Sequence, residues 1–210
     1  MKDAATFWDK IAPKYAQGPI KDMAAYEYTL ERTKSYLNVD DRVLEMGCGT
    51  GSTALLIAPH VREIVGTDVS PAMIEIATSK ASAAGIKNAK FQVATALDAA
   101  TTSETVDAVL GFNLFHLVNG AEDVFAEAYK SLRKGGYFIS KTPCLGDKSI
   151  GLKRFLFSAM IRPMQWLGKA PYVRFFTHKE YEDALRFAGF DIVETGNFPA
   201  ISRYVVARKT

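Results

Sequence analysis

The chain has 210 residues, of which 48% are hydrophobic and 23% are charged, so it is long enough for one globular domain with a substantial core and is unlike a disordered protein. The formal net charge of +3 is too small to indicate a nucleic-acid-binding protein by itself. The two cysteines, Cys48 and Cys144, form neither a disulfide framework nor a metal-ligand cluster, which predicts a reducing compartment and no metal site. The N-terminus lacks the apolar core of a signal peptide, and no apolar run reaches membrane-spanning length, so we expect a cytoplasmic protein.

The first forty residues have the apolar spacing of helices. Apolar side chains recur every three or four positions, at Phe7, Trp8, Ile11, Ala12 and Tyr15. We expect Pro13 and the Gly18–Pro19 pair to interrupt this run. A second helix is predicted from about Lys21 to Leu37.

From Arg42 onward the pattern alternates between strands and helices. The predicted strands are Arg42–Met46, Glu63–Asp68, Lys90–Ala94, Val106–Phe112 and Tyr137–Lys141. The predicted helices are Ser52–Ala58, Pro71–Ala84 with Ser70 as its N-cap, and Glu122–Leu132. A Lys134–Gly136 turn is expected to lead into the fifth strand. This alternation predicts an α/β fold with a doubly wound, mostly parallel sheet.

The C-terminal part departs from that alternation. Two strands, Asp191–Thr195 and Arg203–Ala207, follow one another with no helix between them. Such a pair is typical of an antiparallel hairpin, which we expect at one edge of the sheet.

A glycine-rich loop follows the first predicted strand. The segment VLEMGCGTG places Gly47, Gly49 and Gly51 at alternate positions, and Glu45 stands two residues before the first of them. A strand, a glycine loop and a helix commonly bind a nucleotide-like ligand, because glycine lets the backbone approach it closely. The spacing differs from the G-x-G-x-x-G of dinucleotide sites. An acid at position 45 would repel a pyrophosphate and would suit an amino group or a cation.

A second acid, Asp68, ends the second predicted strand. A carboxylate at this place accepts hydrogen bonds from both hydroxyls of a ribose. Together, Glu45 and Asp68 describe a nucleoside with a cationic tail and no phosphates, which S-adenosylmethionine fits. Three simpler interpretations stay open: a plain tight turn at the glycines, a satisfied acid at Glu45, and a helix-capping role for Asp68.

With these motifs the sequence resembles the class I, Rossmann-like S-adenosylmethionine-dependent methyltransferases. The segments that carry the resemblance are VLEMGCGTG, IVGTDVSPAMIEIA at 64–77, VDAVLGFNLFHLV at 106–118 and AYKSLRKGGYFIS at 128–140. The opening FWDKIAPKYA resembles the cap helix of the small-molecule branch, which includes the ubiquinone- and menaquinone-biosynthesis enzymes. The resemblance implies one domain with a seven-stranded sheet, a helical cap at 1–40, a cofactor-binding core at 41–142, a lid insertion at 145–176, and a C-terminal helix and edge hairpin at 177–210.

The resemblance also implies roles for individual residues. Those expected along the methionine portion of the cofactor are Glu45, Gly47 and the backbone around Cys48 and Gly49. Gly51 is also expected to be a cofactor-binding residue. Those expected around the adenosine are Asp68 at the ribose, Val69 and Met73 against the adenine, and Ala96 and Leu97 at its edge. Phe112 and Asn113 are expected below the methionine end, facing the acceptor, and Tyr15 is expected to close the pocket. Thr95 stands where the family often has an acid that accepts from the adenine amino group, so we expect weaker cofactor binding.

Methyl transfer from a sulfonium needs alignment and exclusion of water more than it needs a dedicated base. His116, which follows the fourth strand, is the candidate base, although a packed structural histidine is the simpler interpretation. Cys144 is interpreted as a residue of the pocket wall. The Gly111–Leu114 segment lacks the Asn/Asp-Pro-Pro-aromatic motif of DNA and protein-glutamine enzymes, so we expect a small-molecule acceptor and no nucleic acid.

A long apolar and basic insertion, SIGLKRFLFSAMIRPMQWLGKAPYVRFF, precedes the last predicted helix. Its apolar residues have helical spacing, and Pro163 is expected to kink the helix or to start a new one. Three interpretations stay open: an amphipathic helix packed on the sheet, a lid over a bulky apolar acceptor, and a weak membrane-surface contact through residues 150–175.

The sequence therefore predicts methyl transfer from S-adenosylmethionine, with S-adenosylhomocysteine as the product, to a small and partly apolar organic acceptor. The acceptor atom (oxygen, nitrogen or carbon) and the oligomeric state are left open. Two alternatives remain: a non-catalytic cofactor-binding or partner-binding protein on the same fold, and a nicotinamide-dependent oxidoreductase.

Overall fold

The computed structural model describes residues 2–102, 104–167 and 170–210. Its strands are β1 (Arg42–Met46), β2 (Glu63–Asp68), β3 (Ala89–Val93), β4 (Val106–Phe112), β5 (Leu132–Pro143), β6 (Phe190–Asn197) and β7 (Ser202–Lys209). Its helices are α1 (Lys2–Gln17), α2 (Met23–Lys34), α3 (Ser52–Ile57), α4 (Pro71–Ala83), α5 (Ala96–Thr102), α6 (Ala121–Ser131), α7 (Lys153–Trp166) and α8 (His178–Phe187). None of the helices in these ranges is both long and apolar enough to cross a membrane.

The seven strands form one sheet in the order β3-β2-β1-β4-β5-β7-β6. Strands β1 to β5 pair in parallel, whereas β7 is antiparallel to both β5 and β6. The predicted α/β fold with an antiparallel edge hairpin is therefore confirmed. The chain winds outward from β1 in one direction and from β4 in the other. Ligands of doubly wound sheets bind at such a switch point, beyond the carboxyl ends of the strands.

Each face of the sheet buries its own apolar cluster. On one face the aromatic residues Phe115, Phe125, Phe138 and Tyr181 pack together between the sheet and helices α6 and α8. On the other face the cluster includes Leu30, Ile57, Leu110, Ile139 and Tyr204. Leu30 comes from α2, whose neighbouring side chains Thr29, Arg32 and Thr33 contact β5, β6 and β7. Ile57 comes from α3, which follows the glycine loop directly.

Pro13 does not interrupt the first helix, contrary to the expectation from the sequence. Helix α1 runs through Pro13 and ends at Gln17. Pro13 removes one intrahelical hydrogen bond. The rings of Trp8 and Tyr15, which precede and follow Pro13 in the chain, pack edge to face with their centroids 6.3 Å apart. The chain leaves the helix at Gly18, whose N–H donates to the Tyr15 carbonyl at 3.1 Å. Pro163 likewise lies inside α7, where no new helix begins.

Several element boundaries differ from the predicted ones for local reasons. Helix α2 begins at Met23 because Asp22 is its N-cap and accepts from the Ala25 N–H at 2.9 Å. Helix α5 was not predicted, since its Ala- and Thr-rich sequence has no clear apolar period.

Strand β5 begins at Leu132, before the predicted Lys134–Gly136 turn. The pairing with β4 jumps from Val106–Leu132 to Ala108–Tyr137, so the intervening residues form a bulge inside a longer strand. Gly135 has a φ of +77° there, in the left-handed region that glycine adopts readily.

Candidate active site

Two adjoining cavities open at the carboxyl ends of β1, β2, β4 and β5. The larger has a volume of about 620 Å³ and the smaller about 330 Å³. Both are lined by Tyr15, Gly47, Gly49, Phe112 and Asn113. The cavities therefore meet at the switch point between β1 and β4, where the sequence predicted a ligand.

The glycine loop adopts left-handed backbone at all three glycines, with φ values of +64°, +53° and +74° at Gly47, Gly49 and Gly51. A Cβ atom at Gly49 would have the Tyr15 ring as its nearest neighbour, at 3.8 Å, so the backbone here is open to the cavities. A Cβ atom at Gly51 would lie 2.8 Å from Ala77 and from the ring of Phe91. Gly49 thus allows a ligand to approach, whereas Gly51 allows α4 and β3 to pack closely and lines neither cavity.

Glu45 is a buried acid with an unpaired oxygen. The residue is 2% exposed, lines the larger cavity, and has no hydrogen-bond partner at Oε2. Burial, and after it the nearby Asp68 carboxylate, raise the pKa of its carboxyl to about 8, against the opposite effect of a hydrogen bond from the Ala54 backbone N–H. Since a buried carboxyl is stable only when it is neutral or paired, Glu45 is suited to meet a cationic or N–H-bearing group of a ligand.

Asp68 holds the loop and also lines the smaller cavity. Its Oδ2 accepts from the Gly49 N–H at 3.0 Å, and its Oδ1 accepts from the Ser70 N–H at 2.9 Å. Burial raises the pKa of this carboxyl, while the backbone donors lower it. Each oxygen of a carboxylate has two acceptor sites, so these bonds leave room for a ligand hydroxyl on each oxygen. The capping interpretation and the ligand-binding interpretation are therefore compatible.

The other residues expected around the adenosine line the same smaller cavity, namely Val69, Met73, Thr95, Ala96 and Leu97. Thr95 also caps α5, since its hydroxyl donates to the Asp98 carboxylate at 2.7 Å and accepts from the Asp98 N–H at 3.1 Å. Asn113 follows β4 with a φ of +56°, and its N–H donates to the Lys141 carbonyl at 2.7 Å.

The two cysteines lie in different surroundings. Cys48 lines the larger cavity, and burial raises the pKa of its thiol well above the ordinary value, as expected for a wall residue and not for a nucleophile. Cys144 belongs to the buried core cluster beneath Phe176 and lines neither cavity. The interpretation of Cys144 as a pocket-wall residue is therefore wrong. Burial raises the pKa of its thiol to about 12.

His116 lies in a short 3-10 helix, Phe115–Leu117, and lines neither cavity. Burial lowers the pKa of its imidazole to about 4, and Nδ1 has no hydrogen-bond partner. Its carbonyl accepts from the Arg174 N–H at 2.7 Å, which attaches the segment after α7 to the site. The geometry thus gives no support to a base role for His116.

The insertion between β5 and α8 approaches the cavities through its last part. Among the described residues of 145–176, Tyr172 is the one that lines a cavity, the smaller one. Within the described ranges no group of three His, Cys, Asp or Glu side chains is placed to hold a metal ion.

Sequence reasoning missed the residues that α2 and β5 bring to the larger cavity. Tyr26, Thr29 and Leu30 come from α2, and Lys141 comes from β5. The one available signal was a lysine near the end of the apolar strand YFISKTP. In the sequence alone, this lysine is indistinguishable from an ordinary charge at the end of a strand. Its place in the cavity depends on the pairing of β5 with β4.

Comparisons with known proteins agree with this geometry. A methyltransferase-domain family model matches residues 43–136. The ubiquinone biosynthesis O-methyltransferase of Rhizobium etli is 31% identical over 206 residues, covering 93% of this chain and 82% of that protein.

Solved methyltransferase structures share the fold. A SAM-dependent methyltransferase of Thermotoga maritima superposes with a TM-score of 0.73 at 21% identity, covering 98% of this chain and 99% of that one. The geranyl diphosphate C-methyltransferase of Streptomyces coelicolor, solved with S-adenosylhomocysteine, gives a TM-score of 0.72 at 16% identity, covering 88% of this chain and 79% of that one. With its glycine loop, paired acids and seven-stranded sheet, the chain belongs to the class I, Rossmann-like S-adenosylmethionine-dependent methyltransferases.

Proposed function

We propose that this protein transfers a methyl group from S-adenosylmethionine to a small, partly apolar organic acceptor. The observation that carries the proposal is the unpaired, buried Glu45 carboxyl beside the open backbone of Gly49. An amino-acid tail supplies the cationic nitrogen that this carboxyl lacks. A pyrophosphate would place negative charge against it, which argues against a dinucleotide.

The remaining residues divide the cofactor between the two cavities. Asp68 would accept from the ribose hydroxyls, and the wall formed by Val69, Met73 and Leu97 would contact the adenine. The bound cofactor supplies an activated methyl group, and the protein aligns it and excludes water. Phe112 and Asn113 line both cavities and so mark where the two meet. The methyl group would be transferred toward the acceptor at this junction.

The larger cavity is the proposed acceptor site. Its volume of about 620 Å³ lies within the usual range for a small-molecule pocket, and Tyr26, Leu30 and Phe112 give it apolar walls. The relative from Rhizobium etli, named for ubiquinone biosynthesis, favours an acceptor with a substantial apolar part.

Titration calorimetry with S-adenosylhomocysteine and with NADH tests the cofactor. We expect S-adenosylhomocysteine to bind and to raise the Tm, because a ligand that binds only the folded state stabilises it. We expect NADH to give no heat. Clean binding of NADH without binding of S-adenosylhomocysteine would contradict the proposal and favour an oxidoreductase.

Turnover is tested by incubating the protein with S-adenosylmethionine and a cell extract, and by measuring release of S-adenosylhomocysteine. The control is the Glu45→Ala variant, which lacks the proposed contact to the amino group. Extract-dependent release by the unsubstituted protein supports an enzyme. Cofactor binding with no release in any extract fraction would favour a non-catalytic cofactor-binding protein.

A further inference from the structure

Lys141 is a buried lysine at the carboxyl end of β5. Its residue is 7% exposed, and it lines the larger cavity together with its neighbour in β4, Phe112. Lysine is almost never buried to this extent without a partner for its charge. Its ammonium group therefore requires hydrogen-bonding or charged partners in the cavity.

The protein gives the Lys141 ammonium only weak polar contacts. Lys141 Nζ lies 3.5 Å from Thr29 Oγ1, at the long limit for a hydrogen bond. The Thr29 hydroxyl directs its own proton at the carbonyls of Ala25 and Tyr26, at 2.9 and 3.0 Å, so it can act only as an acceptor toward Lys141. The Tyr26 ring centroid is 5.9 Å from Nζ, near the outer limit of a cation–π contact.

No carboxylate completes this environment. Of the ion pairs in the described part of the chain, none includes Lys141. Burial lowers the pKa of Lys141, and the Asp22 carboxylate, which lines the same cavity but forms no ion pair with Lys141, acts in the opposite direction. An ammonium has three N–H donors, so the cavity contains a cation with donors left for a ligand.

The position of Lys141 is on the acceptor side of the cofactor site. Glu45 is level with Leu110 in β4, whereas Lys141 is level with Phe112. All four residues lie on the same face of the sheet, since their separations along β4 are even. Lys141 lies two strands across from Glu45 and two residues further along the strand direction. These offsets place their Cα atoms roughly 12 Å apart. The cofactor's amino group and Lys141 would therefore lie at opposite ends of the larger cavity, with Phe112 between them.

We propose that Lys141 binds an acidic oxygen of the methyl acceptor, so that the acceptor is an apolar acid or phenol bound as its anion. This inference rests on the proposed function and names the acceptor class of the same site. The anion accepts the unused N–H donors of Lys141, and its apolar body contacts Leu30, Tyr26 and Phe112. A buried ion pair with good hydrogen bonds stabilises both charges, whereas a neutral acceptor would leave the ammonium unpaired.

Titration calorimetry on the protein saturated with S-adenosylhomocysteine tests this assignment. The carboxylate probes are benzoate, cinnamate and octanoate, each paired with its amide. The phenolate probe is 4-nitrophenol, paired with 4-nitroanisole. We expect at least one anion to bind about tenfold more tightly than its neutral partner, because a hydrogen bond to a charged group is stronger than one between neutral groups. The pair that shows the preference distinguishes a carboxylate from a phenolate.

Three variants show whether Lys141 is responsible. Lys141→Met keeps the volume and should abolish the preference for the anion, while Lys141→Arg should restore part of it. Lys209→Met is the matched control, since Lys209 Nζ also lies over a tyrosine ring, 4.9 Å from the Tyr129 centroid, but at the opposite end of β7 from the cavities. This control should keep the full preference. Circular dichroism checks that each variant is folded.

The proposal is overturned if every anion binds no better than its neutral partner, or if Lys141→Met keeps the preference. Binding of S-adenosylhomocysteine alone is measured on the same samples and should be the same for Lys141→Met as for the unsubstituted protein. If S-adenosylhomocysteine does not bind the unsubstituted protein, the proposed function fails, and the probe pairs then test Lys141 without it.

Discussion

Glu45 is the next-to-last residue of β1, and Asp68 is the last residue of the neighbouring parallel strand β2. Burial raises the pKa of both carboxyls. Asp68 has backbone donors at both oxygens, whereas Glu45 keeps an unpaired Oε2. Glu45 is therefore the one of the pair that retains its proton near neutral pH in the protein without ligand. Burial raises the pKa of Tyr15 and of Cys48, and the carboxyls of Glu45 and Asp68 add to the increase, so both groups lie near the two acids.

Glu45→Gln should change how stability depends on pH. With a folded-state pKa of about 8 against an ordinary value of 4.5, the folded protein binds more protons than the unfolded chain between these values. Glu45 therefore makes the free energy of unfolding fall as pH rises from 4.5 to 8, by up to about 1.4 kcal/mol per pH unit. The variant should lose that decline and be the more stable protein at pH 8. Urea unfolding at pH 5 to 8.5 measures the effect.

His116 acts in the opposite direction and is present in both proteins. Its pKa is lowered to about 4, so its contribution to stability rises as pH increases from about 4 to 6.5. The contribution of His116 cancels when the free energy of unfolding of the Glu45→Gln variant is compared with that of the unsubstituted protein. The difference between the two values reports on Glu45 alone. Glu75→Gln, on the exposed face of α4, is the control and should leave the slope unchanged. Parallel curves for the Glu45→Gln variant and the unsubstituted protein would show that Glu45 is ionised throughout.

The sequence predicted those site residues whose neighbours in the site are also close along the chain. Glu45, Gly49 and Asp68 lie within one strand–loop–helix–strand unit, so their spacing alone brings them together. Lys141 reaches the larger cavity only because β5 pairs with β4 and Thr29 of α2 packs against it. Such a contact depends on tertiary structure, and neither periodicity nor a local motif contains it.

Among the helices and strands, those with a clear pattern of apolar residues were predicted from the sequence, whereas α5, which lacks one, was not. Strands β1, β2 and β4 are short apolar runs bounded by polar residues, and their bounds agree with the structure. Helix α5 was missed because capping by Thr95, and not an apolar face, begins it.

Helix α7 has an exposed apolar surface beside basic residues. Leu152 is 83% exposed and Trp166 is 87% exposed, and Phe155, Leu156 and Met160 are exposed as well. Lys148 and Lys153 accompany them, and Asp147 is the single acid between positions 145 and 176. An amphipathic helix with this composition is typical of attachment to an anionic membrane surface.

We propose that α7 contacts anionic membranes. The protein should sediment with liposomes that contain phosphatidylglycerol at low salt, and it should be released as salt shortens the Debye length. Trp166→Glu should weaken retention several-fold, because it adds charge to the apolar surface. The control is Phe187→Glu, since Phe187 is 92% exposed but lies on α8. No retention of the unsubstituted protein at low salt would exclude this role for α7.

In the whole molecule, the N-terminal helix α1 belongs to the proposed cofactor site. Helix α1 lines the smaller cavity through Ala4, Trp8 and Tyr15. It attaches to the sheet domain through Asp9, whose carboxylate accepts from the Ser70 hydroxyl at 2.6 Å and from the Ala72 N–H at 3.0 Å. Ala12 is the one buried residue among its described side chains, and the others are partly or fully exposed. A ligand held between α1 and the strand ends would therefore stabilise the docked cap.

Asp9→Ala should loosen the cap and weaken cofactor binding together. Loss of the carboxylate leaves the Ser70 hydroxyl and the Ala72 N–H without this acceptor, which destabilises docking by about 1–3 kcal/mol. The affinity for S-adenosylhomocysteine should fall about tenfold, since binding requires the docked cap. Trypsin should cleave at Lys10, Lys14 and Lys21 faster in the variant, and S-adenosylhomocysteine should protect these sites in the unsubstituted protein. Asp40→Ala, an exposed residue before β1, should change neither measurement. Equal cleavage with and without ligand would mean that the cap is docked independently of the cofactor site.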